Sequence, residues 1–150
     1  MKKTLITLLF IISGVTVSSQ SLDYNTKKGF VAEGYDVVSY FKNTAIEGTN
    51  KFVSTHDSVK YKFSSQENLD TFNANPTKYI PQYGGYCAYA IAVKAKKVSV
   101  DPKTFEIRDG KLFLFYNSWG TNTLESWLNE SPKDLILTAD EKWNTISQKK

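Results

Sequence analysis

The stretch Tyr79 to Val93, YIPQYGGYCAYAIAV, gathers much of the chain's chemical potential. It holds the one cysteine, Cys87, together with Tyr79, Tyr83, Tyr86, Tyr89 and the pair Gly84-Gly85. Two adjacent glycines let a backbone turn sharply or approach another group closely, so the loop is expected to deliver Tyr86, Cys87 and Tyr89 into the interior. A thiolate is a good donor to soft metals, and His56 is the only imidazole available to join it. Cys87 and His56 are therefore the candidate metal ligands. An oxygen donor would complete an open site suited to copper or another transition metal. A closed tetrahedral site wants four ligands, commonly Cys or His, which one copy of this chain does not supply. A two-fold homodimer would bring two of each together.

Three other readings compete for the same residues. A free cysteine among alanines and tyrosines commonly packs as a small hydrophobe. Tyr83, Tyr86 and Tyr89 would suit a pocket for a small apolar or aromatic ligand or cofactor, where rings supply area and a few hydroxyls supply orientation. The weakest reading makes Cys87 a nucleophile with His56 as its base. No basic neighbour or evident helix start stands by to raise the thiolate fraction.

Lys2-Lys3, the apolar run Leu5 to Ile12 and the small polar residues ending at Ser19 have the three-part layout of a secretory signal peptide. Cleavage after Ser19 would leave residues 20–150 as one exported domain, periplasmic or secreted. No stable membrane span is expected after that cleavage, because the apolar run is too short for an anchor. Nineteen basic and fifteen acidic residues give +4, and two of the lysines lie in the leader, which leaves +2. With no basic stripe on an exported chain, nucleic acid is not an expected partner. A single cysteine forms no internal disulfide, so stability must come from the core, and an aromatic content of 14% makes that credible.

Tyr35 to Phe41, rich in β-branched and aromatic residues, is expected to be a strand. Lys51–Thr55 and Val59–Phe63 flank His56-Asp57-Ser58 as a hairpin with a three-residue loop. Ser64 with Glu67 fits a capping box opening a short helix that buries Leu69 and Phe72 and stops at Asn75-Pro76. Asp101-Pro102 signals a turn, and Thr104–Arg108 with Lys111–Tyr116 form a second hairpin about Asp109-Gly110. A helix capped near Thr121–Thr123 should bury Leu124, Trp127 and Leu128. Another, with Ser131 as N-cap and Pro132 in its first turn, should carry Leu135, Ile136, Ala139 and Trp143. Glu33, Asp36 and Asp101 are assigned to turns and caps. The fold class is α+β: a small single domain of β-hairpins and short helices packed around the Tyr/Gly/Cys-rich segment.

His56, Tyr61, Phe63, Ser65, Phe72, Pro76 and Tyr79, in the order HxxxxYxFxSxxxxxxFxxxPxxY, resemble the YHS domain. Gly34-Tyr35-Asp36, Ser39-Tyr40-Phe41, the PQYGGYCAYA run, Asp101-Pro102 and Asp109-Gly110-Lys111-Leu112 extend the likeness over most of residues 30–143 to exported single-domain members. The resemblance implies an accessory domain of the kind found in copper-transporting ATPases and some phenol hydroxylases, with metal held by two cysteines in an FCSxxC arrangement. Here those two positions are Ser64 and Asn68, so the thiolates of that arrangement are missing. No GxSxG, HExxH, P-loop or dinucleotide fingerprint is present. The expected function is a non-enzymatic, exported, metal-binding accessory protein of copper type. A small-molecule or protein-partner binding domain without metal is the alternative.

Overall fold

The computed structural model describes residues 21–148, so the leader expected over 1–19 lies outside the described residues. The fold is organised by one strand that is buried on both faces. Lys111–Phe115 (β6) pairs antiparallel with Asp101–Arg108 (β5), and the two close through Asp109 and Gly110, both left-handed at φ 50 and 70. Consecutive left-handed residues make the tight turn that Asp-Gly favours, and its twist matches that of the flanking strands. Side chains alternate along β6. Leu112 and Leu114 point into one core with Val37, Tyr40, Tyr61, Phe63, Phe72 and Cys87, while Phe113 and Phe115 point into another with Tyr83, Ile91, Trp127 and Ala139. A continuous apolar run is what a strand covered on both sides requires.

The first core is floored by a four-stranded sheet of order β1-β2-β4-β3: Thr26–Lys27 (β1), Phe30–Val31 (β2), Thr49–His56 (β3) and Val59–Phe63 (β4). Gln66–Ala74 (α1) and Pro76–Tyr79 (α2) follow it. The second core is built from Ala88–Lys94 (α3), Thr123–Asn129 (α4) and Pro132–Ile146 (α5), with a small hairpin of Asn117–Ser118 (β7) and Thr121–Asn122 (β8) leading into α4. The chain is thus a small α+β domain, as its pattern of hairpins and short helices suggested. No helix among the described residues is long and apolar enough to cross a membrane.

Several local expectations are corrected by tertiary contacts. Tyr35 to Phe41 is not a strand: Asp36 Oδ1 accepts from Val38 N (2.9 Å) and Ser39 N (3.3 Å), folding the segment into a 3-10 turn at Ser39–Lys42. An aspartate that bonds backbone amides two and three residues ahead outweighs the β preference of Val37 and Val38. The first hairpin is tighter than expected, with a two-residue turn of Asp57 (φ 48) and Ser58 (φ 65), and β3 runs through His56. The N-cap of α1 is Ser65, which accepts from Asn68 N at 3.1 Å. Ser64 is drawn away to Asp36, and Glu67 faces solvent near Lys42. Asp101-Pro102 opens β5 beside a bulge. Leu128 is half exposed, since α4 turns Trp127 into the core instead.

The Gly-rich loop is left-handed at three successive residues, Tyr83 (φ 54), Gly84 (φ 60) and Gly85 (φ 81). The carbonyls of Gly84 and Gly85 accept from the backbone and side-chain nitrogens of Asn25 at 2.8 and 3.0 Å, tying the loop to the N-terminal segment. A Cβ at Gly84 would stand 2.3 Å from the Asp23 carbonyl oxygen, whereas one at Gly85 meets nothing nearer than 3.4 Å. Left-handed backbone costs a non-glycine residue about 1–2 kcal/mol before any clash. Gly84→Ala is therefore expected to lower stability by about 2–3 kcal/mol and Gly85→Ala by about half that. Thermal midpoints of the two variants, compared side by side, check the order.

Candidate functional site

Cys87 occupies the N-cap position of α3, with no side-chain hydrogen bond to the helix, and is fully buried. Its amide donates to the Val98 carbonyl at 2.9 Å, and it bridges Leu114 of β6, so both flanking segments hold it in place. The thiol meets Thr123 Oγ1 at 3.3 Å. Thr123 in turn donates its hydroxyl proton to the Tyr116 carbonyl at 2.8 Å. A hydroxyl carries one proton. With that proton committed to Tyr116, the thiol is the donor to Thr123.

Cys87 and Thr123 form the floor of a cleft of about 260 Å³ between α3 and the start of α4. Its walls include Tyr89, Val93, Tyr116 and Thr121, with Lys94 and Ser126 at the edge. That volume is just under the roughly 300–1,000 Å³ of clefts that hold drug-sized ligands. The cleft therefore has room for a single small ring system. Tyr89 is anchored by donating to Glu130 Oε1 at 2.6 Å, and that hydrogen bond, more than burial, raises the phenol above its ordinary pKa. Two wider depressions, of about 610 and 840 Å³, lie elsewhere on the surface. The first is walled by Lys27, Lys28, Lys62 and Lys103, the second by the Lys96-Lys97 segment and the end of α5.

The expected site residues are split between places. Tyr83 is buried in the second core, donating to Asp140 at 2.9 Å and packing on Phe113 and Trp143. Tyr86 stacks against the same Trp143 and donates to Asp23 at 3.2 Å. Burial first, and then the Asp23 carboxylate, pushes its pKa up to about 12. Of the three tyrosines expected to share a pocket, Tyr89 is the one that lines the cleft with Cys87. His56 lies at the end of β3, edge-on to Phe72 at 6.2 Å, with Nε2 3.6 Å from Asp57 Oδ2. No hydrogen bond links it to Cys87, and among the described residues no group of three or more His, Cys, Asp or Glu is gathered as a metal would need.

The positions where the YHS resemblance places two cysteines hold a different device. Ser64 N (2.8 Å), Ser64 Oγ (2.6 Å) and Asn68 Nδ2 (2.7 Å) all donate to Oδ2 of the fully buried Asp36. Asn68 uses its carbonyl to accept from Lys42 Nζ at 3.1 Å. The donor set here is hydroxyl and amide, committed to a carboxylate, and does not fit a soft metal ion.

Sequence reading missed Thr123 and Tyr116 as walls of the cleft and Asp36 as the centre of a polar knot. Asp36 was legible only as a turn former, and no spacing relates Cys87 to residues some thirty positions away. Compared with family models, with curated proteins and with solved structures, the chain matches none.

Proposed function

We propose that this chain is an exported, non-enzymatic YHS-type domain that binds a small apolar or aromatic molecule in the Cys87 cleft. The observation that carries this reading is the cleft itself, a concavity of about 260 Å³ with an apolar floor, two tyrosine rings and few polar groups. A small ligand buried there would gain from apolar area and from stacking on Tyr89 and Tyr116, with Thr123 and Ser126 at hand for orientation. The thiol proton directed at Thr123 supports a binding role over nucleophilic chemistry. The signal-peptide-like layout of residues 1–19 supports a periplasmic or secreted location. A copper-type role for Cys87 is the competing reading, and it would need donors from outside this chain's own neighbourhood of the thiol.

The test is titration of the mature protein with a hydrophobic reporter dye, followed by competition with indole. Expected are one saturable site, displacement by indole, and a rise in melting temperature that follows the occupied fraction. Val93→Glu, on the exposed side of the cleft, should weaken dye binding at least tenfold, a loss of about 1.4 kcal/mol. Stabilisation by Cu(I) that vanishes in Cys87→Ser, without any response to dye or indole, would turn the assignment to metal.

A further inference from the structure

The β7–β8 hairpin ends in Trp119, which is 93% exposed. Its backbone is left-handed at φ 52, followed by Gly120 at φ 75. This is the same turn that Asp109-Gly110 makes elsewhere in the chain, where the residue types match the demand for Asn-Gly or Asp-Gly. A bulky residue in that position is a genuine conformational outlier. An indole left in water also forgoes burial of roughly 150–250 Å². Among the described residues little covers the ring, which is 93% exposed, and a contact between molecules would offset both costs.

We propose that Trp119 docks into the Cys87 cleft of a second copy of this chain, forming a two-fold homodimer. Knob and hole sit on one surface: Thr121, two residues past Trp119, is a wall of the cleft, as are Tyr116 and Thr123 on either side of the hairpin. A patch that carries both a projection and its receptacle is self-complementary about a two-fold axis, so the contact is made twice. The cleft is of single-ring-system size and lined by Tyr89 and Tyr116, which suits an indole. Two docked indoles and the surfaces they cover bury about 600–1,000 Å², below the ~1,200 Å² of a standard interface. The dimer is accordingly weak and concentration-dependent, and because it rests on the cleft reading above, small ligand and second copy compete for one place.

Sedimentation velocity of the mature protein from about 10 µM to about 1 mM, with and without reporter dye, tests this. Expected is a dimer fraction that grows with concentration, a blue shift of tryptophan emission in step with it, and dissociation by dye. Trp119→Asn, which installs a residue the turn prefers, should weaken association at least tenfold while dye binding at low concentration persists. Val93→Glu should weaken it from the cleft side. Mixing the two variants should restore part of the association, because the mixed pair keeps one knob and one hole. A protein monomeric throughout the range, or a dimer indifferent to Trp119→Asn, overturns the proposal. Monomer that cosediments with phosphatidylglycerol vesicles only when Trp119 is present overturns it in favour of a membrane surface. A Trp119-dependent dimer in a protein that binds no dye supports the docking and sinks the small-ligand reading alone.

Discussion

Replacing Asp36 with asparagine is expected to lower stability by about 3–5 kcal/mol, because it breaks a buried hydrogen-bond network built on the carboxylate. The carboxylate is fully buried and accepts five hydrogen bonds, two from the amides of Val38 and Ser39 and three from Ser64 and Asn68. All five partners are donors at these contacts. An amide group would keep one oxygen and aim an N–H₂ group at donors on the other side, leaving buried hydrogens without acceptors. Hydrogen bonds to a charged group are worth about 1.5–3 kcal/mol each, and an orphaned buried donor costs a similar amount. Against a total of roughly 5–15 kcal/mol for a domain of this size, the variant should be marginal. Urea unfolding monitored by circular dichroism checks it, the midpoint falling while the slope stays constant. A loss under about 1 kcal/mol would show that the knot joining the 3-10 turn to α1 contributes little to stability.

Alkali above pH 10 is expected to unfold this protein more sharply than its net charge would suggest. Tyr24, Tyr40, Tyr61 and Tyr83 are all buried, and burial is the leading cause raising each phenol well above its ordinary value near 10. Asp57 beside Tyr24 and Asp140 beside Tyr83 add to the shift. Tyr61 is the extreme case: among the described residues its hydroxyl is the buried side-chain polar atom without a partner, so a phenolate there would be uncompensated.

The sign follows from proton linkage. Below pH 10 the folded and unfolded chains hold the same phenolic protons, and stability is unaffected. Above it the unfolded chain releases protons that the folded chain keeps, so stability falls until the pH reaches the folded values. Each such group removes about 1.4 kcal/mol per pH unit, and four together remove about 5 kcal/mol per unit. About one to three units above pH 10 should therefore exhaust a typical domain's stability. Tyrosinate absorbance and circular dichroism should change together in one cooperative transition. Absorbance that titrates smoothly near pH 10 with the fold intact would contradict the burial of these side chains.

The knot at Asp36 also bears on the YHS resemblance. Ser64 and Asn68, where the resemblance would place paired thiolates, both turn inward to one carboxylate oxygen. The hydroxyl and amide donors at these two positions, met by one buried acceptor, make a structural clasp between the 3-10 turn and α1.

Local chemistry determined much of this molecule directly from its sequence. Asp109-Gly110 set one hairpin because left-handed backbone is cheap there, Asn75-Pro76 ended α1 because the residue before proline is pushed out of helical geometry, and Pro132 opened α5 because its missing amide proton is not needed in a first turn. Lys111 to Tyr116 was legible as one strand of a hairpin, but its burial on both faces was not, because that depends on which elements cover it. Tertiary structure decided the rest. Tyr35 to Phe41 has the composition of a strand, yet Asp36 found donors both two residues and some thirty residues away and bent the segment into a turn. Cys87, Tyr116 and Thr123 became neighbours only because β6 carries Tyr116 past the start of α3 and the β7–β8 hairpin returns the chain to it. Nothing in the order of the residues encodes that meeting, because a cleft is made by the packing of elements, and packing is a property of the whole fold.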